Sequence, residues 1–243
     1  MAVCTILFED QTWRRFRPVA AGAPVFELRC GAFNVRERLG ILGVDAGVLL
    51  ARPALDALHS TERWEAGADA ADRRAAKAET CLFVSGRVPP RADLLRALYA
   101  VAAGGFLWED EAGVLAYGAD GEAASQAMAA WRTWAAADAA GDSAARWNPP
   151  EPAGWRAVAD GLAAEDPASL TALGDIVAEA PRPLGWLWDI VGATAAAVAG
   201  DAAALAGRTS PGREPFAVTG AAADGGFWRR PTTWTPAAKG AAG

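Results

Sequence analysis

The chain has 243 residues, 52% hydrophobic and 21% charged, with a formal net charge of −6. That length suits one large domain or two small ones, and the balance is that of a globular chain. The acidic excess and the lack of a long basic face argue against nucleic acid as a partner, yet a nucleotide needs only a local cluster of donors.

Almost all the basic residues are arginines; the only lysines are Lys77 and Lys239. Cys4, Cys30 and Cys81 are widely spaced and form no CxxC pair. With His59, the only histidine, they make no recognisable zinc site. Cys4 and Cys81, in apolar strand-like runs, are expected as buried free thiols, and the pattern suits a reducing cytoplasm. The start lacks the basic region of a signal peptide and quickly reaches "FED".

In chain order, Val3–Phe8 reads as a buried parallel strand. "RPVAAGAPVFELRCG", residues 17–31, follows as a loop of small residues, the kind of segment that cradles phosphate between a strand and a helix N-terminus. Phe33–Leu42 has helical spacing of Phe33, Val35, Leu39 and Leu42. "AGVLLARP" is a second strand stopped by Pro53. "ALDALHSTERW" reads as a short helix, and residues 65–79 as a solvated helix or loop.

"TCLFVSG" is a third strand ending in a Ser-Gly turn, and "RADLLRALYAVAAGG" a helix ended by glycine. "GFLWEDEAGVLAYGADG" reads as a hairpin around an acidic turn, and "EAASQAMAAWRTWAAADAA" as a helix by propensity. This alternation implies an α/β domain with a mainly parallel sheet over about residues 1–140. Residues 153–207 read as helices. They include "PLGWLWDIVGATAAAVAG", which Asp189 interrupts and which reads as a buried helix, not a membrane span. The domain expectation is residues 1–207, helical from about 150, with a Gly-, Pro- and Thr-rich tail, residues 208–243, that is poorly ordered.

His59 has no nucleophile signature beside it and reads as a surface histidine. Glu9 and Asp10 lie just after a strand, where open α/β sheets put their sites; the choice between a solvated pair and a functional one stays open. The Glu109–Asp110–Glu111 cluster reads as a hairpin turn. Arg29, Arg36, Arg38 and Arg87 are candidates for a phosphate clamp, since a guanidinium holds phosphate oxygens bidentately. Arg36 and Arg38 cannot share a helix face, and Arg36 reads as a surface ion pair.

"ILFEDQTW…RPVAAGAPVFELRCGAFNVRERL" resembles the N-terminal domain of sugar nucleotidyltransferases related to the alternative bacterial N-acetylglucosamine-1-phosphate uridyltransferases. The matching positions are Leu7-Phe8-Glu9-Asp10, Trp13, Pro18 to Val25, Glu27-Leu28-Arg29-Cys30-Gly31 and Glu37-Arg38, followed in order by "CLFVSGRVPP" and "PLGWLWDIVGATAAAVAGD". The resemblance implies a Rossmann-like nucleotidyltransferase sheet with helices on both faces and a helical C-terminal segment. It implies transfer from a nucleoside triphosphate to a sugar 1-phosphate with release of pyrophosphate, helped by Mg²⁺. Arg29 and Arg38 would neutralise charge at the reacting phosphates. Glu9, Pro18, Gly22, Arg29, Gly31 and Arg87 would surround the nucleotide. Ser85 and Asp189 would face the sugar, and Asp10 would hold the metal.

Three departures stand out. Gly22-Ala23 replaces a Thr-Arg pair, Ser85 replaces an asparagine, and Arg38 replaces a lysine. No hexapeptide repeat of a left-handed β-helix occurs. A module of the same fold that binds a nucleotide or nucleotide sugar without turnover is the alternative expectation.

Overall fold

The computed structural model describes residues 3–44, 46–55, 75, 77–150, 156–159, 162–164, 170–179 and 182–206. All lie in the compact unit Met1–Ala206. His59, the expected helix around it, most of residues 65–79 and the expected tail lie outside the described residues.

The sheet is built of β1 (Val3–Phe8), β2 (Ala46–Leu50), β3 (Thr80–Ser85), β4 (Phe106–Asp110), β5 (Gly113–Asp120), β6 (Arg156–Ala159) and β7 (Leu162–Ala164). Its spatial order is β2-β1-β3-β5-β4-β7-β6. β1 is parallel to both β2 and β3, with Phe8 opposite Leu50 on one side and Ser85 on the other. These three strands form the parallel core. Beyond β3 the sheet runs antiparallel, from β5 outward.

The expected β4–β5 hairpin is present, with Asp110 opposite Gly113 across the turn. Because β5 is antiparallel to β3, this turn lies at the same edge of the sheet as the C-terminal ends of β1 and β3. One topology therefore brings four segments to one place: the residues after β1, β2 and β3, and the β4–β5 turn.

The helices are α1 (Val35–Ile41), α2 (Ala92–Val101), α3 (Gly121–Ala139), α4 (Thr171–Ala178) and α5 (Leu187–Ala206). Side chains alternate across the strands, so each face has its own core. Ile6, Phe8, Cys81, Phe83 and Tyr117 pack with α3 and with Ile190 and Ala197 of α5. Leu7, Leu82 and Val84 pack with α1, α2 and α4 on the other face.

Large side chains anchor the alanine-rich helices, as the composition leads one to expect. Trp147 is 1% exposed, edge-on to Phe8 at 4.3 Å, and its Nε1 donates to the Ala127 carbonyl at 3.1 Å. α1 starts at a reciprocal cap: the Asn34 side chain accepts from Glu37 N–H, and the Glu37 carboxylate from Asn34 N–H. α3 starts where the Asp120 carboxylate accepts from Ala123 N–H at 2.9 Å.

Three sequence expectations change. The segment expected as a buried helix, α5, is mostly exposed, with only Ile190, Ala197 and Asp201 buried. β6 and β7 stand where the sequence reads as helix; they extend the antiparallel side of the sheet beside β4. The small-residue segment, expected as a loop, has local helical turns. It is tightened into 3₁₀ turns at Val19–Ala21 and Val25–Glu27, after a longer 3₁₀ segment at Gln11–Phe16.

Candidate functional site

The site is assembled at the C-terminal edge of the parallel strands. Glu9 leaves β1 and turns inward, only 1% exposed. One carboxylate oxygen accepts from Val25 N–H at 2.9 Å and from Arg52 Nη1 at 2.7 Å; the other accepts from Arg52 N–H at 3.2 Å. Arg52 follows β2 and donates its second terminal nitrogen to the Ala20 carbonyl. Glu9 and Arg52 thus staple the small-residue loop to the ends of β1 and β2. Burial pushes the Glu9 carboxyl up to about 7, against the pull of the Arg52 charge and the N–H donors of Arg52 and Val25.

Trp13 forms the floor of this cluster. The guanidinium groups of Arg52, Arg17 and Arg14 lie 4.0, 4.7 and 5.3 Å from its ring centre. Its Nε1 donates to Asp138 at 3.3 Å, and Asp138 also pairs with Arg14 at 2.7 Å. Arg17 is exposed and has no carboxylate partner among the described residues. Trp131 closes the cluster from α3, its Nε1 donating to the Glu9 carbonyl at 2.7 Å.

The neighbouring half of the edge is a second charged cluster. Arg87, 1% exposed, grips both oxygens of Asp110 at 2.8 Å and also donates to the Gly113 carbonyl at 3.1 Å. Asp110 accepts from Ala112 N–H and Gly113 N–H, which shapes the turn. Partial burial works to raise its carboxyl, but the Arg87 hydrogen bonds and charge and the two turn N–H groups outweigh it and hold the carboxyl below its usual range. Asp10, 2% exposed, accepts from the Thr12 N–H and hydroxyl through one oxygen. Its other oxygen has no hydrogen bond and lies 3.9 Å from Arg87 Nε. Burial raises the Asp10 carboxyl, against the Arg87 charge.

Asp10 does not fit a resident Mg²⁺. One oxygen is committed to Thr12, the other faces a fixed guanidinium that a cation would have to displace, and no group of three His, Cys, Asp or Glu suited to a metal occurs among the described residues.

The other expected site residues fall in different settings. Ser85 ends β3, 2% exposed, and its hydroxyl accepts from Arg87 N–H at 3.2 Å. Arg29 is exposed and ties down the start of α1 through the Ala32 carbonyl at 2.8 Å and Glu37 at 2.7 Å. Arg38 is 3% exposed and is bound through two nitrogens to both oxygens of Asp201 in α5, each at 2.8 Å; one of those nitrogens also reaches the Cys30 carbonyl.

Gly31 has φ +86°, and a Cβ there would lie 2.8 Å from both Ala197 Cβ and Asp201 Oδ2. Its small size serves the approach of α5. Pro18 and Gly22 are exposed on the loop, and a Cβ at Gly22 would meet nothing within 4 Å. Asp189 is exposed and caps α5, accepting from Gly185 N–H and Trp186 N–H at 2.7 Å each. Arg36 makes its expected surface ion pair, with Glu27 at 2.9 Å.

The edge therefore unites Glu9, Asp10, Ser85 and Arg87, while Arg29, Arg38 and Asp189 bond elsewhere. Arg52 is the member that sequence reasoning missed; Asp110 was read as part of the hairpin turn, which it shapes while also holding Arg87. Arg52 had a signal: it follows a strand just as Glu9 and Arg87 do. A strand-edge site of this kind lies where open α/β sheets place their ligands, outside the carboxyl ends of the strands. A family profile described as sugar nucleotidyl transferase matches residues 5–209, and the chain belongs to that family. No curated protein and no solved structure matches it.

Proposed function

We propose that the chain binds a nucleoside triphosphate and a sugar 1-phosphate at the C-terminal edge of β1, β2 and β3 and catalyses nucleotidyl transfer with release of pyrophosphate. The observation that carries this reading is the convergence of Glu9, Arg52 and Arg87 on that edge, beneath a loop bearing Arg17, which has no carboxylate partner among the described residues. The chemistry asks for positioning and charge neutralisation more than for covalent groups. Arg17 would meet the triphosphate, with Trp13 as a platform beneath it. Mg²⁺ would enter as the counterion of the triphosphate, as part of the substrate. The finer N-acetylglucosamine-1-phosphate uridyltransferase-like identity, a nucleotide-sugar product and a cytoplasmic setting belong to this proposal.

A specific observation favours a second reading, binding without turnover. Arg29, Arg38, Arg52 and Arg87 each bond a carboxylate of this same chain. Removing one charge-stabilising group from phosphoryl transfer costs about 10³-fold or more. Thermal shifts with UTP, dTTP and GTP, each with and without Mg²⁺ and sugar 1-phosphates, followed by an assay of pyrophosphate release, separate the readings. Stabilisation with release supports transfer. Stabilisation without release leaves only the binding module, and no stabilisation by any nucleotide contradicts both.

A further inference from the structure

α5 carries an apolar stripe that the described residues do not cover. Trp188 is 77% exposed, Val191 63%, Val198 44% and Leu205 43%. With the exposed Ala195 and Ala202 they recur at intervals of three and four residues along the whole helix, the spacing of a helix-pairing seam. The opposite side of α5 is spoken for: Ile190 and Ala197 are in the core, and Asp201 is held by Arg38 and by Ala32 N–H.

The helix is long and apolar enough, by length and composition, to cross a membrane. However, the Arg38–Asp201 pair and the close approach of Gly31 to Ala197 bind it to the sheet domain. A helix lying on an anionic membrane surface would carry Lys or Arg beside its apolar face. The only charged residues of α5 are Asp189 and Asp201.

We propose that the stripe pairs with the same stripe of a second copy of the chain, antiparallel about a two-fold axis. The stripe is self-complementary in that direction. Trp188 meets the partner's Leu205, Val191 the partner's Ala202, and Ala195 the partner's Val198. Small residues thus face larger ones at the inner positions, the arrangement that fills a helix interface. A parallel pairing would set alanine against alanine at two levels and tryptophan against tryptophan at a third. An isologous contact of this kind closes as a dimer and leaves no open end. The exposed stripe offers about 500 Å² of apolar surface per copy, at the upper end of what a monomer leaves bare. Two copies together reach about 1,000 Å², the least area expected of a specific interface.

Sedimentation equilibrium of the full chain tests this, with Val191→Glu and Val198→Glu as variants at exposed positions. The proposal expects a dimer for the wild-type chain and monomers for both variants, with unchanged circular dichroism and melting of secondary structure. A second measurement reads the direction. Ala195→Cys and Val198→Cys chains, mixed and oxidised, form a mixed disulfide-linked dimer only if the helices run antiparallel. A monomeric wild-type chain overturns the proposal, as does a dimer that both glutamate variants leave intact. Monomers that co-sediment with anionic phospholipid vesicles also overturn it, in favour of a membrane surface.

Discussion

Glu9 joins three segments: the end of β1, the loop at Val25 and the residue after β2, Arg52. Its carboxyl, raised by burial to about 7, binds a proton more tightly in the folded chain than in the unfolded one, where about 4.3 is usual. Its contribution to stability is therefore fully present below about pH 4.3 and is lost as pH rises to about 7. We expect the melting temperature to fall across that window, and the fall to flatten in Glu9→Gln. Arg17 is the contrasting case, exposed and stacked on Trp13 with no carboxylate partner among the described residues. Arg17→Ala should leave the melting temperature of the free protein nearly unchanged but weaken triphosphate binding about tenfold, the value of one charge-assisted hydrogen bond. Titration calorimetry with the nucleotide that gives the largest thermal shift measures this.

Among the elements, the third-strand turn and α5 are held by contacts that a single atom can disturb. A Cβ at Gly86 would lie 2.4 Å from Phe26 N and 2.6 Å from the Val25 carbonyl carbon. Backbone cannot yield as a flexible side chain would, so Gly86→Ala should destabilise by about 3 kcal/mol or more, read by chemical denaturation. Asp201→Ala should release α5 from α1 at a cost of about 3 kcal/mol and open it to limited proteolysis before the rest of the chain, because Arg38 is left buried and unpaired.

The same elements show what was legible. β1, β2 and β3, α1, the β4–β5 hairpin and α3 were readable because each carries its own periodicity and punctuation. β6 and β7 were not. Each is three or four residues long and rich in alanine, so the pairing with β4, a tertiary effect, decides their state. Still, the Asp160-Gly161 dipeptide between them was a hairpin signal in plain view. At the site, Glu9 and Arg87 were legible from their places after strands. The partners that neutralise the arginines were not, because Asp110, Asp201 and Glu9 lie 23, 163 and 43 residues from the side chains they hold.

At the scale of the whole molecule, the parallel core of β2, β1 and β3 directs its strand ends to one edge, and the antiparallel extension returns the β4–β5 turn to that same edge. The architecture concentrates charge there: Glu9 with Arg52, and Asp10 and Asp110 with Arg87. Triphosphate binding at this edge would have to work beside these internal pairs, which is why affinity and turnover are separable outcomes. The family assignment sets the expectation of nucleotidyl transfer, and this edge is the address proposed for it. Hydrogen–deuterium exchange of the full chain, with and without Mg²⁺ and a nucleoside triphosphate, tests that address most directly. The account predicts slowed exchange in residues 17–31 and around Arg52 and Arg87. A nucleotide that binds but slows exchange only elsewhere, with these segments unaffected, would contradict it.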